Sequence, residues 1–166
     1  SLETGEAGIS SLIINKELEK IALLISSSIS IPAGILTLKN DSVSQIEELH
    51  GKVVCQLNGG FYSEEYKNEE RIIKYKVTNY KQMLKMLSLR RCFAVLGLID
   101  SFYAQAKHLE IPLTRFASPL ILKQVTGGIY LSKLHADPQR VKMLEQAMKT
   151  IHQNNGLKRI IDKYVL

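Results

Sequence analysis

Apolar residues fall in short runs along the chain, and polar segments with capping signals separate them. Gly8-Ile9-Ser10-Ser11-Leu12-Ile13-Ile14 has the pattern of a short buried strand. Asn15 follows as the expected N-cap of a helix from Lys16 to Leu24, with Glu17 and Glu19 near its positive end. A serine run leads into Gly34-Ile35-Leu36-Thr37-Leu38-Lys39, a predicted strand that ends in a turn at Asn40-Asp41. Ser44 and Glu47 have capping-box spacing for a helix from Gln45 to Leu49, and Gly51 suits its left-handed cap.

From there strands and helices alternate. Lys52 to Leu57 reads as a central strand, and Asn58-Gly59-Gly60 turns it into a helix from Phe61 to Asn68. Strand Ile72–Val77 precedes helix Tyr80–Leu89, capped by Asn79; strand Phe93–Leu98 precedes helix Ser101–Leu109, capped near Asp100. Short turns between such units predict a parallel α/β sheet. In the last third, Ile121 to Ser132 reads as extended, with Gly127-Gly128 interrupting it. Asp137 and Pro138 open a helix whose buried stripe is Val141, Leu144, Met148 and Ile151. Asn155-Gly156 closes it, and a final helix follows with the stripe Leu157, Ile160, Ile161 and Tyr164. Both stripes are core.

The apolar stretch Ile21 to Leu38 is long enough to span a bilayer. Its serines, Pro32, Gly34 and lack of flanking cations instead fit the end of a helix followed by a buried β segment. No signal peptide opens the chain, so one has been removed or the sequence is trimmed. At 166 residues, 45% hydrophobic and 23% charged, the composition is that of one soluble domain or of two small lobes. The net charge of +6 is scattered, with Arg90-Arg91 the only adjacent arginine pair. No aromatic residues interleave with a basic run, so a solvated basic surface is expected rather than a nucleic-acid site. Cys55 and Cys92 lie in apolar segments and read as two buried thiols, with a disulfide as the alternative. His50, His108, His135 and His152 are dispersed, and nothing has metal-ligand spacing, so neither metal nor cofactor is expected.

Three stretches carry a family resemblance. Ile46-Glu47-Glu48-Leu49-His50-Gly51-Lys52-Val53-Val54 is similar to an "I-x-x-L-x-G-K-x-V" entry into a second lobe. Met83 to Val95 (Met83-Leu84-Lys85-Met86-Leu87-Ser88-Leu89-Arg90-Arg91-Cys92-Phe93-Ala94-Val95) is similar to "L-x-x-L-x-x-G-R-x-D-A-V". Asn155-Gly156 through Lys163-Tyr164 is similar to "N-G-x-x-x-x-I-x-x-K-Y". In this order they resemble the bacterial family 3 extracellular solute-binding proteins, the amino-acid-type receptors of ABC importers. The resemblance implies a two-lobed α/β fold of the periplasmic-binding-protein type II kind, with parallel-rich sheets. Residues 1–40 and 120–166 would form lobe one and residues 41–119 lobe two. The family's opening strand–helix–strand unit is not found, so lobe one is expected to be incomplete.

The resemblance implies non-catalytic binding of a small polar solute in a cleft between lobes, a periplasmic location and an ABC permease as partner. Amino-acid receptors need an arginine for the ligand carboxylate and an acid for its ammonium. Aligned on Ser10-Ser11-Leu12, the arginine position falls on Leu18, the ammonium-binding aspartate on Leu98 and the "D-A" aspartate on Phe93. Losing the arginine removes an anchor of about 1.5–3 kcal/mol, so the expected solute is not a standard α-amino acid. The remaining ligand-binding candidates are Ser10, Ser11, Gly60, Phe61, Tyr62 and Asp100. Gly60-Phe61-Tyr62 is read as a helix start offering free N–H groups, and Phe61 and Tyr62 either stack on a ring or pack as core. Asp100 is read as an N-cap, with a ligand contact as the alternative.

Two rivals share the scaffold: a ligand-sensing domain of a signalling protein, and a dehydratase-like periplasmic enzyme. Catalysis would need paired acid–base groups. Glu64 and Glu65 instead suit the first turn of their helix, and no G-x-S-x-G, H-E-x-x-H or phosphate loop occurs.

Overall fold

The computed structural model describes residues 1–58, 63–156 and 159, apart from the side chains of residues 28 and 29. The chain forms two compact units, one made of Ser1–Ser30 and the described residues from Val125 onward, the other of Ile31–Gln124. The chain passes between them twice, at Ser30-Ile31 and at Gln124-Val125. Both points lie inside long strands, β2 (Ala22–Thr37) and β6 (Leu120–Ser132).

In the first unit, β1 (Ile9–Ile13) pairs antiparallel with β6, with Ser10 opposite Tyr130 and Leu12 opposite Gly128, and β6 neighbours β2. Two readings change here. The helix expected over Lys16 to Leu24 is a single 3-10 turn, Leu18–Lys20. Asn15 does cap it, its Oδ1 accepting from the Leu18 amide at 3.1 Å, but pairing with β6 claims the chain from Ala22 onward. Tertiary pairing overrides local helix preference, as β structure routinely does. Nor does Gly127-Gly128 break β6. Both residues are buried in the ladder, and a Cβ on Gly128 would lie 2.6 Å from Leu24 Cδ1 and 2.8 Å from Ile14 Cγ1. The glycine marks a close approach. β1 itself is largely exposed, with Ile9 and Leu12 open to solvent, against the expectation of a buried strand.

The helix α4 (Pro138–Gln153) starts as its sequence predicts, with Pro138 in the first turn and Asp137 Oδ1 accepting from the Arg140 amide at 2.9 Å. Its stripe of Val141, Leu144, Met148 and Ile151 packs with Ile25 and Leu131. The helix expected beyond Gly156 lies outside the described residues, apart from Arg159.

The second unit holds β3 (Val53–Leu57), α1 (Glu64–Asn68), β4 (Ile73–Val77), α2 (Tyr80–Ser88), β5 (Ala94–Leu98) and α3 (Ile99–His108). β3 lies between β4 and β5 and is parallel to both, whereas β5 pairs antiparallel with β2. The sheet is mixed, in an α/β fold. Asn79 Oδ1 accepts from the Gln82 amide at 2.8 Å and opens α2 as expected. Met83, Leu84 and Leu87 of α2 pack with Ile99, Phe102 and Ala106 of α3 over Leu36, Cys55 and Val95 of the sheet. Near Ser44 the capping partner is Glu48, not Glu47. Glu48 Oε1 accepts from the Ser44 amide at 3.0 Å and its hydroxyl at 2.7 Å, and these bonds hold the carboxyl below its ordinary value. The segment that follows is a 3-10 turn, Ile46–Leu49, ended by Gly51 at φ 71°.

The two cysteines are joined. Cys55 on β3 and Cys92, just before β5, form a disulfide with Cα atoms 5.9 Å apart, so the reading of two buried thiols is corrected. The sequence lacked the signal because the pairing depends on which strands become neighbours.

Two outcomes follow from this packing. A Cβ on Gly34 of β2 would meet the Leu120 carbonyl oxygen and lie 3.0 Å from Ile121 Cα, backbone atoms that cannot rotate away. Gly34→Ala should therefore cost at least about 3 kcal/mol in urea unfolding. Gly51→Ala has open space and should cost only about 1–2 kcal/mol, from its left-handed backbone. Equal costs at the two glycines would overturn the close β2–β6 approach. The disulfide spans a sequence separation of 37, which corresponds to about 4 kcal/mol of chain entropy. Reductant should lower the urea midpoint of the wild type and leave that of Cys92→Ser unmoved; an unmoved wild type would mean two separate thiols.

Candidate functional site

Open α/β sheets bind ligands beyond the carboxyl ends of their parallel strands. In the second unit those ends are Leu57, Val77 and Leu98. β5 runs without a loop into α3, whose N-cap is Leu98 and whose second helical residue is Asp100. The sequence reading of Asp100 as an N-cap is corrected: no side chain caps this helix. Among the described residues the Asp100 carboxylate has no hydrogen-bond or ion-pair partner. It is half-buried, and burial raises its carboxyl above the ordinary aspartate value. Burial and the Asp100 charge together raise the Tyr103 hydroxyl, one helical turn further on.

The geometry around Asp100 depends on a glycine. A Cβ on Gly97 would stand 2.9 Å from both Phe102 Cζ and Tyr80 Cε1. With no side chain there, the Tyr80 and Phe102 rings meet edge to face, centroids 4.9 Å apart, and the Tyr80 hydroxyl accepts from the Leu98 amide at 3.0 Å. That amide belongs to the first of the N–H groups a helix start leaves without an intrahelical partner. Tyr80 therefore fixes the strand-to-helix junction that presents Asp100. On β3, one residue before the strand's end, Gln56 keeps a buried Oε1 with no partner among the described residues. Sequence reasoning missed Tyr80, Gly97 and Gln56. A glycine inside a strand run was the available signal, because it marks close approach.

Ser10 and Ser11 lie on β1 in the first unit, opposite Tyr130 and Ile129. Successive strand residues point to opposite faces, so the two hydroxyls cannot serve one ligand side by side. Ser10 is half-buried and Ser11 exposed. Gly60, Phe61 and Tyr62 lie outside the described residues. The described helix after β3 begins at Glu64, with Ser63 Oγ accepting from the Tyr66 amide at 3.4 Å, and Glu64 and Glu65 fill its first turn. Leu18 packs against the cluster of Leu2, Ala22 and Tyr130. The Phe93 ring lies under Lys52 Nζ, 5.2 Å from it. Among the described residues no group of His, Cys, Asp and Glu could hold a metal ion, and no helix is long and apolar enough to cross a membrane.

No family model and no curated relative matches the sequence. Solved structures do match. A mutant form of ArgBP from T. maritima is 18% identical, with a TM-score of 0.79 over 99% of this chain and 71% of its own. AbpA from Streptococcus pneumoniae, an amino acid ABC transporter substrate-binding protein bound to L-arginine, is 13% identical, with a TM-score of 0.82 over 99% of this chain and 70% of its own. The periplasmic VFT2 domain of BvgS from Bordetella pertussis is 17% identical, with a TM-score of 0.77 over 98% of this chain and 69% of its own. At these identities the likeness establishes the fold: the chain has the two-lobed α/β architecture of periplasmic binding proteins, over about seven tenths of their length.

An unpaired, partly buried carboxylate weakens the folded state wherever it is ionised. Asp100 has a folded-state pKa above its unfolded value, so it binds protons more tightly when folded. Its destabilising effect is present at neutral pH and fades as pH falls through the raised pKa. Asp100→Asn should raise the melting temperature at pH 7, and the gain should shrink as pH falls through the raised pKa and be gone by the ordinary aspartate value. A variant that melts lower at pH 7 would mean that Asp100 has a structural partner.

Proposed function

We propose that this chain is a non-catalytic binding module, the substrate-binding component of an ABC-type importer, and that it captures a small polar solute other than a standard α-amino acid. The observation that carries the first part is the likeness to AbpA over nearly the whole chain. A periplasmic location and a permease partner belong to the same reading. The second part rests on the residues. Where the family resemblance calls for a guanidinium, Leu18 sits in an apolar cluster, so nothing at that position forks onto a ligand carboxylate. Leu98 and Phe93 are likewise apolar where the family's acids would stand. Asp100, without a partner among the described residues, is our candidate to accept hydrogen bonds from a cationic or N–H-rich solute. Ser10 and the segment Gly60-Phe61-Tyr62 remain candidates for its remaining contacts.

The likeness to the BvgS VFT2 domain favours a second reading, a ligand-sensing domain of a signalling protein. Genes beside this one separate the two: permease and ATPase genes mark the importer, a kinase in the same reading frame the sensor.

A thermal-shift panel of amino acids, organic acids, polyamines and small aromatic compounds tests the ligand. A ligand at a hundred times its Kd adds about 2.7 kcal/mol, a visible rise in Tm. We expect hits outside the free α-amino acids, and Asp100→Asn should lose the rise for any hit carrying a cation. Hits confined to free α-amino acids would overturn the non-standard solute, and no hit at all would overturn solute capture.

A further inference from the structure

The second unit carries a basic pocket that the proposed function does not use. It encloses about 230 Å³ and is lined by Asp41, Lys52, Arg90, Arg91, Cys92 and Phe93 among others. These residues stand before the starts of β3 and β5, whereas Asp100 stands beyond the end of β5. The five residues of β5 separate the two places by about 16 Å. We infer that this pocket is a binding site for a phosphate-type oxyanion, free or carried on a small organic molecule.

Charge is the first reason. Lys52, Arg90 and Arg91 converge on a cavity whose single lining carboxylate is Asp41, and Asp41 is already engaged by Arg90 Nη1 at 3.0 Å. Arg90 also lies just past the last turn of α2, where a cation complements the helix dipole, so its charge has a structural use. Lys52 and Arg91 have no ion-pair partner among the described residues. Lys52 Nζ is held over the Phe93 ring, a contact that positions an ammonium without neutralising it. Arginine's fork and lysine's point charge are the groups that suit phosphate oxygens.

Rigidity is the second. The segment carrying the arginines is pinned at both ends. The Arg90 and Arg91 amides donate to the Leu87 and Met86 carbonyls at 3.0 and 2.9 Å, the Phe93 amide donates to Val53 O at 2.9 Å, and Cys92 is bonded to Cys55. Arg90 holds this path at φ 55°, a left-handed conformation in which glycine is the usual occupant. In the motif "L-x-x-L-x-x-G-R" that this stretch resembles, Arg90 stands at the glycine. A long cation thus occupies a position where the backbone favours no side chain, and it faces a cavity with one apolar wall formed by Leu38 and Phe93.

The test is calorimetric titration of the intact chain with inorganic phosphate, pyrophosphate and a phosphorylated sugar, against chloride and sulfate at matched ionic strength. Saturable binding of at least one phosphate species is expected. Lys52→Gln and Arg91→Gln should each weaken it about tenfold or more, Arg91→Lys less, and Asp100→Asn not at all. Circular dichroism checks that each variant is folded, and Arg91→Lys keeps the charge if Arg91→Gln is not. Inorganic phosphate against the sugar phosphate separates a free anion from one borne on an organic ligand. Equal heats from chloride, or binding unchanged in Lys52→Gln and Arg91→Gln, would reduce the effect to screening of a basic chain and overturn the site. Binding of a glutamate-rich peptide without phosphate binding would overturn it too, in favour of a protein-docking face. Because Asp100→Asn leaves this site intact, failure here and failure of the solute-binding proposal are distinguishable.

Discussion

The pairing of β2 with β6 governs the rest of the structure. Each is far longer than the other strands, 16 and 13 residues, and each runs through both compact units. Glycines stand where other groups press against these two strands. At Gly34 the Leu120 backbone leaves no room for a Cβ, and at Gly128 the Leu24 and Ile14 side chains fill that space, one site in each unit. Strand residues satisfy their backbone groups through neighbouring strands rather than within a helix. This requirement suppresses the helix that Asn15 begins and keeps β6 unbroken through its paired glycines.

The second unit holds a charged group just past a strand end with no partner for it among the described residues. β5 turns into α3 with no loop, so the junction has no slack. Tyr80 reaches across from α2 to accept from the Leu98 amide, and Gly97 leaves room for the ring. Asp100 then sits one residue inside the helix, where its side chain does not cap and its carboxylate is only partly hydrated. A protein built for stability alone would place a pairing partner there or a neutral side chain. An unpaired, partly buried charge at the end of a parallel strand is the kind of local inconsistency that functional sites carry.

How far the sequence revealed this follows from the range of each signal. Local signals read well. Asn79, Asp137 and Pro138 mark helix starts the structure keeps, and Gly51 takes the left-handed conformation expected of it. The alternating β3 to α3 run also stands, with Ser63 and Asn79 capping α1 and α2. Signals that depend on distant partners read poorly. Residues 16–24 carry a helical cap, yet their fate is decided by a strand more than a hundred residues later. Cys55 and Cys92 become a disulfide only once β3 and β5 are neighbours. Of the two readings of Asp100, the N-cap falls because that position moves by two residues, to Leu98, when β5 runs directly into α3. Ser10 and Ser11 were taken together, although strand geometry sends them to opposite faces.

The likeness to binding proteins at 13–18% identity is what these two kinds of constraint predict. Core positions answer to packing: Leu36, Val95, Leu84 and Phe102 need only apolar shape of suitable volume, so many sequences fill the same scaffold. Site positions answer to the ligand, and a change of ligand alters them without disturbing the sheet. In the proposed reading, Leu18 illustrates this division. A guanidinium there would have to stay hydrated or paired, whereas leucine packs onto Leu2, Ala22 and Tyr130 and adds to the core. In the proposed reading, recognition then comes from elsewhere. Asp100, the opposite case, keeps an unpaired charge at a cost in stability, and that cost has a physical return only if a ligand supplies the missing partner.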